Sequence, residues 1–295
     1  MTAKRLFCLL LAVLLAFAAA GCGGETPNQA DTDAVAAAVE KFRGCKSFTA
    51  LQMTEIEEIL SVEGEKLDCS VLNMLEIQLV TEPEFQMRTS TAASMLYDGE
   101  QVEQFSESYI VPENGGYAEY YSDGGQWYKL STEEDVSSMG MGASAIVDTF
   151  FTDKIAFCKV AEESLDGQDA VRYEGALAKE DLMALLEANG QLAQLSAMSE
   201  NQQAKIKENL IKDLKPLTVT VWISVQQGYP VRLEVNMADT LNDMQQSIAK
   251  SLGNKTAQAE SELEKYSISM SLRDFDALDE ILLPPETASA VLYEE

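Results

Sequence analysis

Three stretches of this chain alternate with strict period two, and that pattern constrains the fold more than any other feature. Residues 217 to 225 set Leu217, Val219, Val221, Ile223 and Val225 on one side and Thr218, Thr220, Trp222 and Ser224 on the other. Gln226 to Pro230 reads as a turn, after which Val231, Leu233, Val235 and Met237 alternate against Arg232, Glu234 and Asn236. Near the C-terminus Tyr266, Ile268, Met270 and Leu272 alternate against Ser267, Ser269, Ser271 and Arg273. Successive side chains of a strand point to opposite faces, so this spacing makes strands with one apolar and one polar side. Strands of that design belong to an antiparallel sheet with one covered face.

Upstream the same logic holds more loosely. Phe48 to Met53 and Val71 to Val80 read as strands, rich in β-branched and apolar residues. Asp98-Gly99, Asn114-Gly115, Asp123-Gly124 and Asp166-Gly167 supply residues that tolerate the positive backbone angles of tight hairpins. They predict up-and-down strands through Ser108–Val111, Tyr117–Tyr121 and Gln126–Leu130, then near 154–160 and 170–174. Helical spacing marks 31–42, with Asp31 or Asp33 as cap, and returns at 179–188 and 191–214, split by Asn189-Gly190. Residues 241–252 read as a helix or an ordered connection.

The N-terminus carries Lys4-Arg5 and then an apolar run from Leu6 to Ala20, the layout of a secretory signal peptide over residues 1–21. The run falls short of the roughly 20 residues a spanning helix needs. Ala19-Ala20-Gly21-Cys22 resembles a lipobox, with Ala19 where such boxes usually carry Leu; it makes Cys22 the lipidation site and membrane anchor. Residues 22–32, rich in Gly, Pro and small polar groups, read as a flexible tether. Residues 33–295 then form a single domain with a helical insertion near 179–214.

Composition removes whole function classes. The chain has 49 Asp and Glu against 21 Lys and Arg, and loss of Lys4 and Arg5 would leave a net charge of −30. Nucleic acid is thereby an unsuitable partner, since phosphate binding rests on basic clusters. There is no histidine, which removes the usual base near neutral pH, the Ser-His and Cys-His nucleophile pairs and the commonest metal ligand. Glu133-Glu134-Asp135 and the Asp31/Asp33 pair lack the EF-hand pattern and read as solvated faces, so neither metal nor cofactor is expected. Cys45, Cys69 and Cys158 either include one disulfide pair or are small buried residues. Trp127 and Trp222, on otherwise polar strand faces, either contact a ligand or pack against neighbouring elements.

The order of parts, with the hairpin Tyr120–Lys129, Val221-Trp222-Ile223, Tyr229-Pro230-Val231-Arg232 and the closing Ile281–Glu286, resembles Gram-positive lipoproteins related to the carrier LolA and to mycobacterial LppX and LprG. The resemblance implies an α+β fold: a strongly curved antiparallel half-barrel whose concave face is covered by helices, with a hydrophobic cleft for acyl chains. It implies no enzyme and no catalytic residue. The expected protein is a non-enzymatic, lipid-anchored component of the cell membrane's extracytoplasmic face, binding an apolar or amphipathic ligand. The side chains expected to line the cleft are Val221, Ile223, Val231, Leu233, Ile268 and Met270. Twelve methionines suit a surface that repacks around variable ligands. The alternative is an envelope protein-interaction or sensor module that uses the same fold without bound lipid.

Overall fold

The computed structural model describes residues 26–62, 65–132, 155–188, 199–252 and 260–292. Helix α1 (Gln29–Arg43) leads into a long meander: β1 (Ser47–Val62), β2 (Glu65–Val80), β3 (Gln86–Tyr97), β4 (Glu100–Glu113), β5 (Gly116–Asp123) and β6 (Gln126–Thr132). The hairpin β7 (Phe157–Leu165) and β8 (Gln168–Leu177) follows, then helices α2 (Lys179–Ala188) and α3 (Glu200–Asp213). The chain returns through β9 (Leu217–Ser224), β10 (Pro230–Asn236), helix α4 (Ala238–Leu252) and β11 (Glu260–Arg273), and ends with a short 3-10 turn (Pro285–Ser289) and β12 (Val291–Leu292).

All twelve strands belong to one open sheet, in the order β12-β6-β5-β4-β3-β2-β1-β11-β10-β9-β8-β7. Every pairing is antiparallel except the parallel β12 on β6. The last long strand, β11, sits between β1 and β10 and so joins the N-terminal meander to the C-terminal one. Helix α2 has the bounds predicted for 179–188, and α3 covers the second part of the segment read as helical over 191–214; residues 189–198 of the expected helical insertion lie outside the described residues.

The ladder sorts side chains into two faces. Val221 pairs with Leu233, Leu233 with Met270, Met270 with Gln52 and Gln52 with Leu75, all on one face. Val35, Val39 and Phe42 of α1, Leu182 and Leu186 of α2, Ile206 and Leu210 of α3, and Leu241 and Met244 of α4 share a single hydrophobic cluster with that face. We call it the helix-side face. The opposite face holds a smaller core in which Val80, Tyr109, Ala118 and Tyr120 are covered by Ile281, with Leu278 and Leu283 packed around them.

Several sequence expectations shift by a residue or two, each for a local reason. The cap of α1 is Asn28, whose side chain accepts from Asp31 N, so the last four residues assigned to the tether form the first turn of the helix. Asp31 instead accepts a hydrogen bond from the Lys159 backbone N–H at 2.8 Å, tying α1 to β7. Three predicted turns have positive φ at both central residues, but at the fourth they fall on Gly124 and Gly125 rather than on Asp123. Two glycines enter that geometry with no Cβ penalty, so the turn slides onto them. Val225 lies beyond the end of β9 and is 59% exposed. No disulfide joins Cys45, Cys69 and Cys158.

One position makes the packing of β8 testable. A Cβ on Gly175 would meet Ile155 Cγ2 and lie 2.8 Å from Phe157 Cδ1, and both of those residues are buried. Gly175→Ala should therefore lower stability by about 1–3 kcal/mol through overpacking. Chemical denaturation should show an unchanged slope and a lower midpoint.

Candidate functional site

Of the six residues read as cleft lining, five are on strand positions that the ladder places on the helix-side face. Val221, Leu233 and Met270 are fully buried and belong to the main core, and Ile223 packs against it half-buried. Ile268 pairs with Val235 and with Thr54. It also touches a hollow of about 700 Å³ whose other walls include Thr220, Arg232, Glu234 and Ser269. Val231 stands apart. The register slips between Pro230 and Arg232, leaving Val231 as the extra residue of a bulge, and it borders a second hollow with Leu51, Ser271 and Arg273. A bulge re-aims one side chain, and strict alternation cannot reveal it.

The apolar face does not stop where the helix-bearing half of the sheet ends. Tyr266 on β11 pairs with Ile56, Ile56 with Val71, Val71 with Met95 and Met95 with Val102, an unbroken apolar row over five strands. Tyr266 and Ile56 pack against the main core. Met95 is 43% and Val102 57% exposed. The row thus runs from packed interior to open surface.

Beside that row the helix-side face of β1 to β4 is polar but uncharged. From Ala50 to Ile56, Val71 to Ile77, Thr89 to Met95 and Val102 to Ser108, its alternate positions hold no Asp, Glu, Lys or Arg. The opposite face of the same stretch carries Glu55, Glu76, Glu103 and Glu107, with Arg88 just beyond its end. Arg88 there bridges Glu76 at 2.9 Å and Glu107 at 2.8 Å. On the uncharged face Thr89 and Ser108 share a 2.6 Å hydrogen bond, whereas Gln52 Oε1 and Asn73 Oδ1 are shielded from solvent without a partner.

One end of the helix-side face is closed by a polar latch. Asp276 accepts from Lys46 N at 2.7 Å, from the Tyr229 hydroxyl at 3.0 Å and from the Cys45 thiol at 3.4 Å. Tyr229 stacks on Phe275 with ring centroids 4.2 Å apart, and Lys41 Nζ lies 4.4 Å from its ring. The backbone donor of Lys46, with Tyr229 and Cys45 behind it, holds the Asp276 carboxyl below the usual carboxylate range. Burial raises the Cys45 thiol, which makes it a packed residue rather than a nucleophile.

The two tryptophans pack rather than stand free. Trp222 is 6% exposed and its indole N–H donates to Glu163, with Arg232 lying 5.8 Å from the ring. Trp127 tilts against Tyr109. Glu133-Glu134-Asp135 lies outside the described residues. Among the described residues no three carboxylates or thiols converge as a metal site, and no helix is long and apolar enough to cross a membrane.

No family model matches the sequence, and no curated protein matches it. Solved structures do. LprF from Mycobacterium bovis shares 11% identity at a TM-score of 0.44, over 88% of this chain and 99% of LprF. LppX from Mycobacterium tuberculosis shares 12% at a TM-score of 0.37, over 87% and 100%. A putative outer membrane lipoprotein-sorting protein domain from Vibrio parahaemolyticus shares 8% at 0.19, over 80% and 90%. LppX, named in the resemblance read from the sequence, is thus among the matched structures, and the fold itself stands on the strand order above.

Sequence reasoning missed Gln52, Asn73 and the Asp276 latch. Gln52 and Asn73 do sit at alternating positions among apolar residues, a usable signal, but their juxtaposition needs the cross-strand register. The latch has a pH signature. Burial, then the hydrogen bond to Asp276, pushes the Tyr229 hydroxyl up to about 12 from an ordinary value of 10.0. The folded state therefore keeps a proton that the unfolded chain loses, so its stability holds below pH 10 and falls between pH 10 and about 12. Unfolding midpoints measured across that window should decline, and Tyr229→Phe should flatten the decline. An unchanged slope in the variant refutes the latch.

Proposed function

We propose that the chain is a lipid-anchored, non-enzymatic binding protein of the extracytoplasmic membrane face, holding an acyl-bearing ligand between the helices and a curved half-barrel sheet. The anchor is Cys22 and the membrane its first partner. The observation that carries the reading is the apolar row Tyr266–Ile56–Val71–Met95–Val102, which leaves the core and emerges at the surface. A buried core ends in polar residues where it meets water, whereas a channel for an acyl chain must continue apolar to an opening. Exposed apolar surface of this continuity marks a binding surface. Val221, Ile223, Leu233, Ile268 and Met270 form the floor of that space in this reading, with Val231 at its margin.

A second reading rests on the other face. Phe105 is 63% exposed and borders a hollow of about 520 Å³ with Leu72, Met74 and Ala92. Such a patch suits an envelope protein, and the chain would then act as an interaction or sensor module.

The two readings separate in one preparation. Protein released from host membranes, extracted with organic solvent and analysed by mass spectrometry should yield about one acyl lipid per chain beyond the Cys22 anchor. Val102→Glu, at the exposed end of the row, should reduce that yield at least tenfold, as expected when a charge is buried unpaired. A lipid-free protein that crosslinks to a specific envelope protein through Phe105 overturns the first reading and supports the second.

A further inference from the structure

The absence of charge from the helix-side face in the middle of β1 to β4 bears on the chemistry of the ligand's polar end. In a chain with 49 acidic and 21 basic residues, the helix-side positions from Ala50 to Ile56, Val71 to Ile77, Thr89 to Met95 and Val102 to Ser108 hold no charge, while the opposite positions of the same segments hold Glu55, Glu76, Glu103 and Glu107. Charges return to the helix-side register only toward the strand ends, at Glu58, Glu65 and Glu100. Solubility explains charges on an outer face but not the amides and hydroxyls on the inner one. An ordinary core would carry Leu or Val there. Instead Gln52 stands between Met270 and Leu75, and Asn73 between Thr54 and Ala93.

Both amides are incompletely used. Gln52 donates weakly to Thr54 at 3.5 Å, while its Oε1 is buried without a partner, and Asn73 Oδ1 is in the same state. On α4, which packs on β11, Ser247 Oγ is also buried and unpaired. Buried acceptors in native proteins are nearly always satisfied, and each that is not costs stability. Two such atoms on one uncharged wall mark a place where a donor is brought from outside.

Resting on the acyl-binding reading above, we infer that Gln52 and Asn73 form a subsite for an uncharged, hydroxyl- or amide-bearing headgroup, with the acyl chain laid along Ile56, Val71, Met95 and Val102. An amide side chain both donates and accepts, and so does a hydroxyl or an amide, so each finds its complement. A phosphate or carboxylate would find acceptors without a counter-charge in a desolvated site, and the strongly acidic chain would repel it at longer range.

The test offers delipidated protein, released from host membranes, equal amounts of dioleoylglycerol and dioleoylphosphatidylglycerol, and counts each bound lipid by mass spectrometry. The native chain should retain the neutral lipid about tenfold over the anionic one, the effect of two modest hydrogen bonds. Gln52→Leu with Asn73→Leu should bring the ratio to about one by lowering retention of the neutral lipid. Gln52→Met alone, close to isosteric, should lower the ratio about threefold if the double variant does not fold. A native chain that takes up neither lipid overturns the acyl-binding reading itself. Uptake with anionic preference, or with a ratio that none of these variants moves, leaves that reading standing and overturns the headgroup subsite.

Discussion

Everything in this molecule depends on one continuous antiparallel ladder in which β11 bridges β1 and β10. Because the side-chain period of a strand is two, a slip of one residue along that bridge would exchange the two faces on every strand beyond it. Met270 between Leu233 and Gln52 fixes the register from the apolar side. Arg273 reaching Glu76 at 2.8 Å, and Lys265 reaching Glu55 at 3.0 Å, fix it from the other. Each of these half-exposed ion pairs contributes little by itself. Their effect is to disfavour the alternative register, which would place the same charges under the helices.

The two faces are then free to do different work. The helix-side face gathers the apolar stripes of four helices, and the glycine at 175 lets Ile155 and Phe157 close over β8. The opposite face has its own small aromatic core, where Tyr109 donates to Glu107 and Tyr120 donates to Glu113 with the rings kept dry. Residues 277–292 pack over that core and end as a parallel strand on β6. The C-terminal segment therefore protects an edge of the sheet that would otherwise expose unpaired backbone groups.

Alternation and turn residues made the strands, their antiparallel sense and helix α2 legible in the sequence. Five of the six residues read as cleft lining could be placed on their face because Val, Leu, Ile and Met repeat at every second position within 217–225, 231–237 and 266–272. What escaped was whatever depends on pairing rather than on period. The bulge at Val231 is a register event between β9 and β10, and the slide onto Gly124 and Gly125 reflects which residue tolerates positive φ most easily. The core around Tyr109 and Ile281 joins residues far apart in the chain, which no period can reveal. Gln52 and Asn73 come together only through the ladder, which sets them side by side on adjacent rows.

Those two amides show that the face is not optimised as a core. Filling both positions with leucine would remove two unpaired buried acceptors, each costing about 1–3 kcal/mol, and would add apolar area beside Met270, Leu75 and Ala93. Substitutions of that kind are readily found wherever stability is the only demand. Their absence here, together with an apolar row that stays greasy until it reaches water at Val102, describes a surface shaped by something other than the chain's own packing. An amphipathic guest would satisfy both departures at once, its polar end meeting the amides and its apolar length covering the row.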